Sequence, residues 1–173
     1  MITGRPEQRD GQEHLVLTRT FEAPIEDVWA AITESERLER WFCTWTGDPD
    51  TGRVEVRWAY EDDMPVEPYA IDECQPPRHL RVHNLHEDPG QVWTLDARLH
   101  TEDGRTVLTF AQVLTGAQPV HDVGPGWEYY LDRLVDSVRT GAVSGLQWAD
   151  YEGLGPEYAR AFGHAFGELS GED

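Results

Sequence analysis

The stretch TRTFEAPIEDVWAAITESERLERWF, residues 18–42, decides the fold. It continues a segment, HLVLTRTFEA at 14–23, in which Leu15, Leu17, Arg19 and Phe21 share one side and Val16, Thr18 and Thr20 the other. That period of two is the signature of a strand. At Ala23–Pro24 the period changes, and Ile25, Val28, Trp29 and Ile32 fall at i, i+3, i+4 and i+7, one face of a helix. Pro24 suits a helix start, and Glu26 and Asp27 complement the positive end of the helix dipole. Thr33 and Glu36 fit a capping box for a second helix, with Leu38, Trp41 and Phe42 as its apolar side. A strand therefore runs directly into two short helices.

Downstream the period returns to two. Val54, Val56 and Trp58 alternate with Arg53, Glu55 and Arg57; Pro65 and Pro68 mark an irregular or edge segment; Tyr69, Ile71 and Glu73 alternate next. After Pro76–Pro77, Leu80 and Val82 alternate with His79, Arg81 and His83. Beyond a turn at Glu87–Gly90, Trp93, Leu95, Ala97 and Leu99 share a long strand face, and Glu102-Asp103-Gly104 makes a hairpin into Thr106–Leu114. Gly124-Pro125-Gly126 reads as a hinge ahead of a helix whose stripe is Trp127, Tyr130, Leu131, Leu134, Val135 and Val138, and Gly141 can stop it. The expected product is an α+β domain: a curved antiparallel sheet of about six strands wrapped on the long C-terminal helix, with the two short helices after strand 1 plugging one end. Residues 1–13 read as a flexible arm, 14–141 as the domain, and 142–173 as an extension with an amphipathic helix. In that extension Tyr158, Phe162, Phe166 and Leu169 form a stripe with Ala161 and Ala165, expected to pack on its own sheet or across a homodimer interface.

Two passages resemble a known family. Ala23, Pro24, Val28, Trp29, Ile32, Thr33, Trp41 and Phe42 are similar to the N-terminal motif of the START-like SRPBCC superfamily, in the branch named after the C-terminal domain of the Hsp90 ATPase activator. Gly126, Trp127, Leu131 and Leu134 resemble the start of that family's last helix. The resemblance covers about residues 14–141 and implies the helix-grip fold, in which sheet and helix enclose a cavity. It implies little about function, because lipid carriers, polyketide cyclases, hormone receptors, co-chaperone domains and resistance proteins share the superfamily.

Composition narrows the classes. The chain has 173 residues, 39% of them hydrophobic, and seven Trp, enough for one core with a lined cavity. Its 14 Lys+Arg against 33 Asp+Glu leave a net charge of −19, which repels phosphate backbones and anionic lipid heads; no nucleic-acid partner and no membrane are expected. Cys43 and Cys74 form no metal-type spacing, and MITGRPEQRDGQEH lacks an apolar signal region, so a cytoplasmic protein is expected.

The candidate ligand-binding residues are the period-matched ones, Trp58, Tyr69, Trp93, Leu95, Phe110, Trp127, Tyr130 and Leu134, with Tyr hydroxyls and indole N–H groups free to orient a flat apolar molecule. Glu73 shares the face of Tyr69 and Ile71 and is the candidate polar group of the pocket, with Arg98 or Arg57 as a partner. His79 and His83, with His86 nearby, read as solvated rather than metal-binding, and Cys43 as a structural thiol. No catalytic residue, metal or cofactor is expected. The expected function is non-enzymatic binding of a small hydrophobic molecule. Two alternatives stand beside it: a co-chaperone-like module that binds protein partners such as a chaperone, and a polyketide cyclase-like or self-sacrificing resistance protein.

Overall fold

The computed structural model describes residues 1–61 and 65–163. Its strands are β1 (Arg5–Arg9), β2 (Gln12–Phe21), β3 (Cys43–Thr46), β4 (Arg53–Trp58), β5 (Val66–Gln75), β6 (His79–Asn84), β7 (Thr94–Glu102) and β8 (Arg105–Val113). Its helices are α1 (Ile25–Thr33), α2 (Ser35–Leu38), α3 (Val120–Thr140) and α4 (Gly155–Ala161). All eight strands form one antiparallel sheet in the order β1-β2-β8-β7-β6-β5-β4-β3. The fold is the expected α+β helix grip, with eight strands rather than about six. One extra strand is β3, which pairs with β4. The other is β1, where the sequence reads as a flexible arm: Asp10 and Gly11 take φ of 52° and 76°, the double left-handed turn that a tight hairpin needs, and bring Arg9 back opposite Gln12.

The register places Leu15, Leu17, Leu95, Leu99, Leu108 and Phe110 on one concave face, over which α3 lies. Trp127, Leu131 and Leu134 are the helix's contribution, and Gly141, with φ of 72°, ends it. Two local readings change. The capping box does not form, because α1 continues through Thr33, whose hydroxyl donates back to the Trp29 carbonyl at 2.7 Å. Gly124-Pro125-Gly126 is no hinge either, since α3 begins at Val120 and carries Pro125 inside. A Cβ on Gly124 would sit 2.6 Å from the Tyr158 ring, so this glycine is what lets α4 lie against the outer side of α3. The tail stripe is thus covered by α3 and the N-terminal segment, not by the sheet: Tyr158 is wholly buried, and Phe162 lies beside it at 5.9 Å between ring centres. Ala165, Phe166 and Leu169 lie outside the described residues.

A buried carboxylate ties these parts together. Glu128, on α3, accepts from the Thr3 and Gly4 backbone N–H groups, the Thr3 hydroxyl, the Tyr158 hydroxyl and, at 2.8 Å, the Arg19 guanidinium. Arg19 also binds Asp132 at 2.9 Å, and Asp132 takes the Tyr151 hydroxyl at 2.8 Å. Burial pushes Glu128 upward, but the Tyr158, Thr3 and Gly4 donors outweigh it and hold the carboxyl below its usual range.

Two predictions follow from this packing. Gly124→Ala should lose about 2 kcal/mol by overpacking, whereas Gly126→Ala, with nothing within 4 Å of its new Cβ, should gain about 0.5–1 kcal/mol from helix propensity; urea titrations of both variants check the opposite signs. A carboxyl whose folded-state pKa is depressed contributes stability above its unfolded-state value and loses it as the pH falls through the folded one. Glu128→Gln should therefore cost about 3 kcal/mol near neutrality by leaving Arg19 poorly paired. The gap to the wild type should close as the pH drops from about 5 into the acid range, and a gap constant with pH would contradict this account.

Candidate ligand-binding site

Between the concave face and α3 lies a cavity of about 280 Å³. Sheet residues Val54, Val56, Leu95 and Phe110 form its floor, Trp127 and Leu134 its roof, and Ile32, Leu38 and Trp41, from the α1–α2 region, one end. The strand-to-helix transition in residues 18–42 produces that end. α1 presents Ile32 inward, the chain turns after Leu38, and Trp41 then donates its indole N–H to the Ala31 carbonyl at 2.9 Å. Trp45 does the same to the Thr33 carbonyl at 2.7 Å.

A second chamber of about 650 Å³ opens beside it toward one end of α3. The two share Phe42, Trp58, Tyr69 and Trp127 as walls. Phe42 sits at the junction, its ring centre 4.9 Å from Trp58, 5.3 Å from Trp127 and 4.9 Å from Tyr130. Outer walls come from Tyr60, Trp93, Tyr129, Tyr130 and Trp148, and Glu61, Glu67 and Asp122 supply carboxylates.

The eight apolar positions singled out from the sequence divide between the chambers. Leu95, Phe110 and Leu134 line the inner one, Trp93 and Tyr130 the outer one, and Trp58, Tyr69 and Trp127 both. Phe42, Trp41, Trp45, Val54 and Val56 were not singled out, although Val54 and Val56 share the strand face of Trp58 and could have been.

Glu73 is a correction. A bulge between Ile71 and Glu73 shifts the β5 register, so that Ile71 still faces Val82 but Glu73 faces Arg81. Glu73 is exposed on the convex side, where Gln75 donates to it at 3.0 Å. The carboxylate on the concave face of that strand is Glu67, opposite Val56 and half-buried.

The expectation of an indole free to orient a ligand changes for Trp127, which donates to the Gln112 side chain at 2.5 Å, and Gln112 donates in turn to Gln118 at 2.8 Å. With the Trp41 and Trp45 indoles also engaged, three donors of the inner wall are used within the protein. The buried Cys43 thiol is pushed up to about 12 by burial, which keeps it protonated and poorly nucleophilic. Burial, then the nearby Glu67, raises Tyr69; burial, then Glu61, raises Tyr130, whose hydroxyl donates to Glu61 at 3.3 Å. Both phenols thus stay neutral. On the convex side His79 lies 2.7 Å from Asp96 and His83 2.7 Å from Asp72, so each ring is taken by a carboxylate. Among the described residues no helix is long and apolar enough to cross a membrane, and no three His, Cys, Asp or Glu side chains converge as metal ligands.

Residues 22–139 match the family described as Activator of Hsp90 ATPase homolog 1-like protein. Among solved structures, CalU16 from Micromonospora echinospora is similar at a TM-score of 0.71 and 24% identity, over 93% of this chain and 96% of that one. EF2215 from Enterococcus faecalis, a conserved protein of unknown function, is similar at 0.66 and 19%, over 89% and 88%. DynU16, from the dynemicin biosynthetic locus, is similar at 0.64 and 22%, over 75% of this chain and 48% of that one. No curated protein matches the chain.

The two thiols, both at the inner cavity, give a check on how deeply its wall at Cys43 is covered. Cys74 is exposed and Cys43 buried. At pH 8 a disulfide reagent such as Ellman's should titrate one thiol rapidly in the native protein and the second only after denaturation. Two rapid thiols would mean that the wall at Cys43 is open to solvent.

Proposed function

The chain belongs to the Activator of Hsp90 ATPase homolog 1-like family, and on that premise we propose that it binds a small hydrophobic or aromatic molecule between its sheet and α3, without transforming it. The observation that carries this reading is the inner cavity itself. Its walls are aliphatic and aromatic from both layers, and the indole N–H groups of Trp41, Trp45 and Trp127 are turned to protein acceptors. Burial of apolar surface there is worth about 25 cal/mol per Å², so shape and area rather than hydrogen bonds set the affinity. In the inner cavity the Cys43 thiol is held protonated and the Tyr69 phenol neutral, and both are poor nucleophiles and bases at neutral pH, which favours binding over transformation there.

The test is a titration with N-phenyl-1-naphthylamine, a neutral aromatic probe whose fluorescence rises in apolar surroundings. The wild type should bind it saturably with one site, quenching Trp emission as it does so. Ala97 lines the cavity from β7, and enlarging it fills the space. Ala97→Leu should weaken the probe several-fold and Ala97→Phe more strongly, with the melting temperature unchanged or raised because the side chain enters existing space. A wild type that does not bind, or two folded variants that bind as well as it does, would overturn the proposal.

A further inference from the structure

The outer chamber says what kind of molecule fits. Its walls are aromatic, and its charged lining groups, Glu61, Glu67 and Asp122, are all carboxylates. Glu67 stands out, half-buried on the concave sheet face next to Tyr69, with no hydrogen-bond or ion-pair partner among the described residues. A half-buried carboxylate that no protein donor engages is open to a ligand that supplies the positive charge. The aromatic collar already holds one cation in this way: the buried Arg133 guanidinium lies 4.0 Å from the centre of the Tyr60 ring and 5.2 Å from that of Tyr129. Arg133 donates to the Tyr129 hydroxyl and to the backbone carbonyls of Trp41, Arg40 and Ser144, and so is itself held by the protein.

Resting on the pocket reading above, we propose that the ligand is a cationic amphiphile, an apolar or aromatic body in the inner cavity bearing a protonated amine that sits in the outer chamber. Phe42, Trp58, Tyr69 and Trp127 wall both chambers, so the two adjoin across single side chains and lie within the reach of one amphiphile. The amine would meet the faces of Trp58 and Trp93 and the carboxylates of Glu67 and Glu61. Cation–π attraction and ion pairing in a partly desolvated site act together there.

The experiment compares three probes that share a dansyl group and a five-carbon chain and end in an ammonium, a hydroxyl or a carboxylate. The full-length protein should bind the ammonium probe about tenfold more tightly than the hydroxyl probe, the scale of a cation held by aromatic faces and a carboxylate. The carboxylate probe should bind most weakly, and the preference should shrink at high salt. The ratio of ammonium to hydroxyl affinity, which cancels any general change in the pocket, should fall to about fivefold in Glu67→Gln and to about two- or threefold in the Glu61→Gln/Glu67→Gln pair, as expected for an exposed cation–π contact alone. Equal binding of all three probes, or a ratio unmoved by both variants, overturns the proposal. If N-phenyl-1-naphthylamine binds while the ammonium has no advantage, only this inference falls. If no neutral probe binds, the pocket reading falls with it.

Discussion

A helix buried on both sides needs its polar groups satisfied on both, and Glu128 is where α3 meets that demand. Its carboxylate collects donors from the N-terminal segment, from β2 and from α4. A charge this deeply placed is tolerable only with such a set of partners. Once they are present they fix where each segment must lie. β1 is anchored by the same contacts at Thr3 and Gly4, and α4 by the Tyr158 hydroxyl and the Gly124 notch that admits its ring. The extension beyond α3 is therefore part of the mounting of the helix.

That mounting bears on the cavity. An apolar space of about 280 Å³ costs several kcal/mol in lost packing, on the scale seen when core side chains are removed. The cheapest relief would be for α3 to sink onto the sheet. The Arg19–Glu128 and Arg19–Asp132 pairs resist this, because Arg19 stands on the concave face of β2 as a charged spacer between sheet and helix. The large rings Phe110 and Trp127, 4.3 Å apart between centres, hold the layers at a second point.

Much of the architecture was legible because it is local. The change from period two to period 3.6 at Pro24 located α1, and Asp103-Gly104 located the β7–β8 turn. The same rule applied to Asp10-Gly11 would have found β1, but a polar strand at a sheet edge lacks the alternation that draws the eye. Arg19 was visible too, as the one charge in the apolar series Leu15, Leu17, Phe21, yet its partners lie 109 and 113 positions away. Glu73 failed for another reason. Alternation assumes an unbroken ladder, and one bulge carries every later residue to the opposite face. Pro125 failed because a proline after a glycine reads as a break, although the close approach of Tyr158 to Gly124 requires that glycine within the helix.

The candidate site was legible in kind and blurred in layout. Period-two counting tells which residues face inward, but not where along the groove each one ends. Phe42 shows the difference. The sequence counts it on the apolar side of the second helix, but α2 ends at Leu38, and the position of Phe42 comes from its N–H bond to the Leu38 carbonyl at 2.8 Å, which closes the next turn. From there its ring meets three others and partitions the groove. On the inner side three indole donors are engaged by the protein and the walls are apolar, so shape is the main discriminator among ligands. On the outer side carboxylates face aromatic walls, and charge can discriminate as well. Discrimination by charge depends on a low local dielectric, so the aromatic walls that crowd Glu67 are the condition for its carboxylate to matter.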